Sequence, residues 1–598
     1  MKLFLTAAAL VITLTTAFPQ PQELIPNIIN RNKISLDGKW HIIIDPYEVG
    51  YYDYRYKPKR DGYFENRHPK DKSDLVEYDF DKSETLEVPG DWNTQKKELL
   101  LYEGTIWYKK SFNYKIKPGI RTFLYFGAAN YDAIVYLNGK KLGEHIGGFT
   151  PFNFETTNYI KDGNNFVVVK VDDKRLKEGV PTLDTDWWNY GGLTRDVYLV
   201  EEPNTFIQDY FIQLQKGSLN VIGGWIKLNG NYKNQNMAIQ IPGANVNYKF
   251  STNENGTAKI NFNAKLKLWS PDDPYLYNVR IISETDTVED QIGFRSIEVN
   301  GTELLLNDKP VFLHGVSMHE EAPFRSGRIY SVPDDRTLLT WAKELNCNYV
   351  RLAHYPYNEN MIREAEKMGI LVWSEIPVYW TIQWENKNTL DNALNQLTEN
   401  ITRDKNRASV VIWSMANETP RSDERLNFLK ALVDSTRILD PTRLITAATE
   451  TRYDKNQIIV DDPLCEYLDI IGVNEYIGWY LGKPEDALNK VWINNFNKPL
   501  IISELGGGAL YGYHGDKDTR WTEEFQADVY KYQIEMLKKI SFLRGVSPWI
   551  LMDFRSPRRP LPYIQDFFNR KGLISNRGEK KEAFYILANF YSSLKSKK

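Results

Sequence analysis

Two rhythms of apolar and polar positions divide the chain. From about residue 28 to 298 the apolar residues fall in short runs, many alternating with polar ones. Residues 122–126 (Thr-Phe-Leu-Tyr-Phe) and 133–137 (Ala-Ile-Val-Tyr-Leu) are such runs, and Asn138-Gly139 closes the second. Runs of this kind bounded by turn residues predict antiparallel strands, and Asn-Gly suits a two-residue hairpin because both positions tolerate positive φ. Strand follows strand without helical spacing. The expectation is a jelly-roll sandwich over 28–203 and a smaller immunoglobulin-like β-sandwich over 204–298, where Asn229-Gly230 and Asn255-Gly256 mark turns. Residues 53–83 are polar and mixed in charge and are expected to form a surface loop. No Pro- or Ser-rich linker separates the units, so they are expected to pack directly.

After residue 300 the rhythm changes. Apolar runs at 311–316, 349–353, 370–376, 410–415, 444–448, 470–474, 500–504 and 546–554 recur about every 34 residues, which is the length of a βα unit. Most are followed by helical spacing, as at 361–368 and 424–433. Eight such units predict a (β/α)8 TIM barrel over 299–598. In that fold the polar residues that end each strand gather at one face and form the active site.

Composition narrows the function. The chain has 598 residues, with 75 basic against 78 acidic side chains, and 42% are hydrophobic. That balance excludes a disordered protein and gives no basic excess for nucleic acid. The 16 Trp and 37 Tyr suit either sugar faces or aromatic-rich strands. Met1-Lys2, the apolar stretch 3–14 and the small residues Thr15-Thr16-Ala17 form a signal-peptide pattern over 1–17, too short for a membrane span. No cysteine follows it, so no lipid anchor is expected, and the mature protein is expected in the periplasm or the medium. Cys347 and Cys465 are the only cysteines. They exclude a disulfide framework and are expected to pack as small apolar residues.

Two strand ends carry carboxylates. The fourth run leads through Trp413-Ser414-Met415-Ala416-Asn417 to Glu418, and the seventh through Ile501-Ile502-Ser503 to Glu504. They lie 86 residues apart, three βα units, so their side chains can converge across a barrel mouth. Converging carboxylates suit retaining glycoside cleavage, in which one attacks the anomeric carbon and the other donates and then removes a proton. Read singly, each glutamate would be an ordinary helix-capping residue.

These segments resemble glycoside hydrolase family 2, which includes β-galactosidases, β-mannosidases and β-glucuronidases. Residues 312–320 (Phe-Leu-His-Gly-Val-Ser-Met-His-Glu) and 350–356 (Val-Arg-Leu-Ala-His-Tyr-Pro) match further barrel signatures of that family, and the order of domains is the same. The resemblance implies Glu418 as acid/base and Glu504 as nucleophile. It implies Asn417 on the substrate 2-hydroxyl and Arg351 and Tyr476 steadying the nucleophile; a buried ion pair for Arg351 is compatible with that role. His319 and His354 are open between sugar ligands and packed core histidines. Trp549, in the last strand segment, is a further substrate-binding candidate.

The sugar is suggested by charge. Residues 553–572 hold five basic side chains against two acidic ones. This surplus on the catalytic face points to an anionic substrate, although such runs are more often solvated loops. Asn569-Arg570-Lys571 resembles the Asn-x-Lys element with which β-glucuronidases hold the uronate carboxylate. Asp186 resembles the acidic residue that a sandwich loop sends to the sugar hydroxyls, and Tyr476 and Tyr480 also match. Two departures stand out: Gln565 lies where those enzymes carry an arginine near the carboxylate, and Arg-Ser-Pro-Arg-Arg at 555–559 is not their usual loop. About a dozen residues separate Glu375-Ile376-Pro377 from the next helix, so no long lid is expected and the end of an oligosaccharide could enter. The expected function is that of a retaining exo-β-glucuronidase acting on oligo- or polysaccharide-derived substrates. The alternatives are a β-galactosidase, a hydrolase of another acidic β-linked sugar, and an inactive carbohydrate-binding relative. No metal motif is present, and retaining hydrolysis needs no cofactor. A homo-oligomer is compatible with the sequence.

Overall fold

The computed structural model describes residues 23–59, 62–64, 69–230 and 234–595; the signal pattern at 1–17 lies outside them. The first domain is a sandwich of two antiparallel sheets. One has four strands, in the order Lys33–Ser35, Val197–Pro203, Ile120–Phe126 and Phe152–Glu155; the other has six. Trp40, Tyr108, Leu124, Phe126, Val135 and Val169 fill the space between them. Asn138 and Gly139 both take positive φ and join Asp132–Leu137 to Lys140–Ile146. The insertion at 53–83 is more than a surface loop. Phe64 and Phe80 are buried against Trp107, Tyr136 and Val168, covering the outer face of the six-stranded sheet. The two aromatics sit among charged neighbours, which hid their role.

A second sandwich follows, with Phe206–Leu214, Val221–Asn229 and Thr257–Asn263 in one sheet and four strands in the other. Its alternating strands, such as Thr287–Ile292, bury every second residue, as the pleat requires.

The remainder closes into an eight-stranded parallel barrel. Its strands are β1 Leu313–Met318, β2 Tyr349–Leu352, β3 Leu371–Glu375, β4 Val410–Asn417, β5 Leu444–Thr449, β6 Ile471–Asn474, β7 Leu500–Glu504 and β8 Leu543–Val546. They read as near-continuous apolar runs because helices and barrel interior cover both faces. Helices α1 Val332–Glu344, α2 Glu359–Met368, α3 Lys387–Asp404, α4 Asp423–Leu439, α5 Glu523–Leu537 and α6 Glu582–Lys595 lie between and after the strands. Ser331, Asn358, Asn386, Ser422 and Thr522 cap the first five through side-chain oxygens. One strand differs from expectation. β8 is Leu543–Val546, whereas 547–554 is buried chain that turns across the mouth. Apolar text continued past the strand because that segment packs against the active face. Cys347 and Cys465 are buried thiols that are not joined in a disulfide. No described helix is long and apolar enough to cross a membrane.

The sandwich reaches into the barrel mouth. Trp188 N donates to Arg555 O at 3.1 Å, Tyr190 Oη donates to Glu321 Oε1 at 2.9 Å, and Arg195 pairs with the buried Glu320 at 3.0 Å. The residues between 183 and 195 are thereby held on the catalytic face.

Candidate active site

Strand ends place the two carboxylates. β7 ends at Glu504, which is 5% exposed. β4 ends at Asn417, and Glu418 follows in a left-handed conformation with φ 50°. That turn lets Asn417 and Glu418 leave the strand in different directions.

Arg351, at the end of β2, links the groups. Its Nη1 donates to Glu504 Oε1 at 2.7 Å and its Nη2 to Asn417 Oδ1 at 2.7 Å. It also meets Glu375, at the end of β3, at 3.2 Å from both Nε and Nη2, Ser503 O at 3.1 Å and His354 Nδ1 at 3.2 Å. Tyr476 Oη donates to Glu504 Oε2 at 2.7 Å. Glu418 is fixed separately: Asn474 Nδ2 donates to its Oε1 at 2.8 Å and Trp380 Nε1 to its Oε2 at 2.9 Å.

The electrostatics differ from group to group. Burial pushes Glu504 above the ordinary glutamate value, outweighing Arg351, and the nearby Glu418 adds to the rise. Burial would also raise Glu375, but Arg351 and His354 outweigh it and hold that carboxyl below its usual value. His354 Nδ1 lies 2.7 Å from Glu375 Oε1, and its Nε2 lies 3.8 Å from Glu504 Oε1. Burial, helped by His354, Arg328 and Arg351, drives His319 well below the ordinary imidazole value, so its ring is neutral. Its Nδ1 meets Tyr355 Oη at 3.1 Å. His319 Nε2 and Asn417 Nδ2 are buried without a hydrogen-bond partner among the described residues. Unpaired buried polar atoms are costly, and two in one site suit a polyhydroxylated ligand.

Aromatic rings form the floor and wall. Trp549 stacks on His354 at 4.8 Å and meets His319 edge-on at 5.2 Å. Trp187, from the sandwich, packs against His319, His354 and Tyr379.

A cationic pocket adjoins the nucleophile. Lys571, 4% exposed, donates from Nζ to Tyr480 Oη at 2.8 Å, and the Tyr480 ring meets Tyr476 at 5.2 Å. Burial would raise the Tyr480 phenol, but Lys571 and Arg559 outweigh it and hold it below its usual value. Asn569 Nδ2 donates to Asp186 Oδ2 at 3.0 Å. Asp186 also accepts from Ser556 Oγ at 2.6 Å and from Arg559 Nε at 2.9 Å, with a second arginine contact through Nη2.

All twelve residues singled out in the sequence thus fall around one cavity mouth. Asp186 meets protein donors there, where it was expected to meet sugar hydroxyls. Glu375, Asn474, Trp380, Arg559 and Trp187 were not singled out. Glu375 and Asn474 end apolar runs as Glu504 does, so the same signal could have found them. Trp380 and Arg559 lie on loops and carried no such mark.

Comparison with known proteins agrees in extent and order. Residues 34–203 match the sugar binding domain of the glycosyl hydrolases family 2, 205–295 match the family's middle domain, and 297–595 match its TIM barrel domain. A β-glucuronidase of Paenibacillus borealis is 29% identical over 564 residues, covering 85% of this chain and 91% of the relative. One of Rattus norvegicus is 29% identical over 565 residues, covering 85% and 84%. The structure of a β-D-glucuronidase of Dictyoglomus thermophilum superposes with a TM-score of 0.78 at 25% identity, over 94% of this chain and 97% of that one. With three consecutive domains matched and paired carboxylates at the barrel mouth, the chain belongs to glycosyl hydrolase family 2.

Proposed function

We propose that this glycoside hydrolase is a retaining, exo-acting β-glucuronidase. The observation that carries the reading is Lys571. Its ammonium is buried, its side-chain hydrogen bond goes to a phenol, and among the described residues it has no carboxylate partner. A buried cation is costly unless paired, and a sugar carboxylate would supply the pair. The similarity to β-glucuronidases supports the same substrate.

In the proposed mechanism Glu504 attacks the anomeric carbon from beneath the sugar while Glu418 gives its proton to the leaving oxygen. Glu418 then deprotonates a water, which opens the glycosyl ester with the β configuration kept. Arg351 and Tyr476 aim the nucleophile, and the unpartnered Asn417 Nδ2 is available to the 2-hydroxyl. His319 Nε2 is available to another hydroxyl. The signal pattern at 1–17 supports export, which N-terminal sequencing of protein recovered outside the cytoplasm would test.

The test of substrate is a panel of aryl β-glycosides on wild type and Lys571→Ala. Glucuronide should be preferred, and its kcat/KM should fall roughly 10- to 200-fold in the variant, the range for a charge-assisted hydrogen bond. Cleavage of a neutral glycoside should fall little. A wild type that prefers galactoside, or a variant with an unchanged ratio, would overturn the reading.

A further inference from the structure

We propose that Arg559, on the loop that follows 547–554, is the second cation of the uronate pocket beside Lys571; this rests on the glucuronidase reading. Arg559 leaves the chain after 547–554 has crossed the mouth, and its guanidinium forks onto Asp186 through Nε and Nη2. Both Asp186 oxygens are occupied, with Ser556 Oγ on Oδ1 and Asn569 Nδ2 on Oδ2. Asp186 is therefore placed as a counter-ion that orients Arg559, in a geometry that suits a planar guanidinium. The pocket holds Lys571 and Arg559 against Asp186, leaving one positive charge over, and a sugar carboxylate neutralises it.

The convergence on Tyr480 supports this placement. Lys571 Nζ lies 2.8 Å from the phenol oxygen, and the charge of Arg559 helps hold the same phenol below its usual value. With Asp186 as the one carboxylate beside these two cations among the described residues, one positive charge is left to an incoming anion, to which the phenol can also donate. Neighbouring Arg558 is different. It pairs with Asp184 and covers the Trp380 ring at 4.7 Å, which puts it at the rim. Gln565 is buried and uncharged, so no cation comes from that position.

The competing explanation is that Arg559 only fastens the sandwich loop carrying Asp186. Such a role would affect every substrate equally. The experiment compares kcat/KM for an aryl β-glucuronide with that for its uncharged glucuronamide, in wild type, Arg559→Met and Arg559→Lys. Inhibition by glucuronate against glucose gives a second measure. Arg559→Met should lose roughly 10- to 200-fold on the glucuronide and only a few-fold on the amide. Arg559→Lys, which keeps the charge but not the fork, should retain most of the preference. Equal losses on both substrates in Arg559→Met would overturn the assignment. If that variant does not fold, Arg559→Gln is read in the same way, a loss confined to the glucuronide upholding the assignment and equal losses on both substrates overturning it. A wild type that does not distinguish glucuronide from glucuronamide would instead remove the underlying substrate reading, whatever the variants do.

Discussion

At the scale of single residues, the site is a set of carboxylates given different environments. Glu504→Gln should remove nearly all turnover while leaving the fold intact, because an amide cannot form the glycosyl ester; circular dichroism and a rate assay check both halves. Glu418→Ala should slow substrates with poor leaving groups by roughly 10²- to 10⁴-fold and spare activated aryl glycosides, since only the former need the proton. Glu504 must be ionised to attack, and burial raises it above its usual value. The acid limb of kcat/KM should therefore lie above about 4.5, with activity falling as pH drops through it. The Tyr476 hydrogen bond favours the charged form. Tyr476→Phe should move that limb to higher pH, and a pH-rate profile that stays in place or moves down would contradict the assignment. Glu475 shows the opposite linkage in stability. Burial pushes it to about 8, so its contribution is full below the unfolded value near 4.5 and is lost as pH rises toward 8. Melting temperatures of wild type and Glu475→Gln should diverge over that interval, the variant losing less. The two acting glutamates could be read from the chain because each ends an apolar run. Trp380 and Arg559 could not, since their positions depend on how loops return to the mouth, which no local pattern encodes.

At the scale of elements, the barrel strands were legible because burial on both faces leaves unbroken apolar text. The same property misplaced the last one, since 547–554 is as buried as β8 without belonging to the strand. Helical spacing at 361–368 and 424–433 was legible within α2 and α4. The connections after β5 and β6 were less so: there a small sheet of Arg452–Asp454, Gln457–Val460 and Val491–Asn494 replaces the helices. Close packing of strands gives a prediction at this level. A Cβ on Gly315, in β1, would lie 2.1 Å from the Tyr349 ring and 2.4 Å from Tyr349 O in β2. Backbone cannot yield as a flexible side chain can, so Gly315→Ala should destabilise by at least ~1–3 kcal/mol. Denaturant unfolding measures it, and an unchanged midpoint would show that the two strands can separate freely.

At the scale of the whole molecule, catalysis depends on the sandwich as well as on the barrel, because Asp186 and Trp187 reach the site from the first domain. The domain types were legible from strand rhythm and their direct packing from the lack of a linker, but what holds the docking was not. It rests on buried polar pairs such as Arg195–Glu320, whose partners lie 125 residues apart. The second sandwich joins the barrel in the same way: Asp290 pairs with Arg363 and Arg407 and accepts from Tyr210 Oη. A buried pair contributes little over an apolar substitute, but breaking one partner strands the other charge, at a cost of about 3–5 kcal/mol. Glu320 also accepts from Asn358 N and Nδ2 and has Arg328 Nη1 at 3.9 Å, which soften that loss without replacing the close pair. Arg195→Met should therefore lower the melting temperature. Arg195 bonds to Phe149 O, Glu320 and Pro356 O, so its loss should loosen the loop that carries Asp186 and Trp187 and reduce kcat/KM for glucuronide and neutral glycoside by similar factors. Lys571→Ala should do the reverse, changing selectivity with a smaller change in melting. Measured together, melting temperature and substrate ratio separate the two roles. A selective loss of glucuronide cleavage in Arg195→Met would mean that domain docking itself sets the specificity.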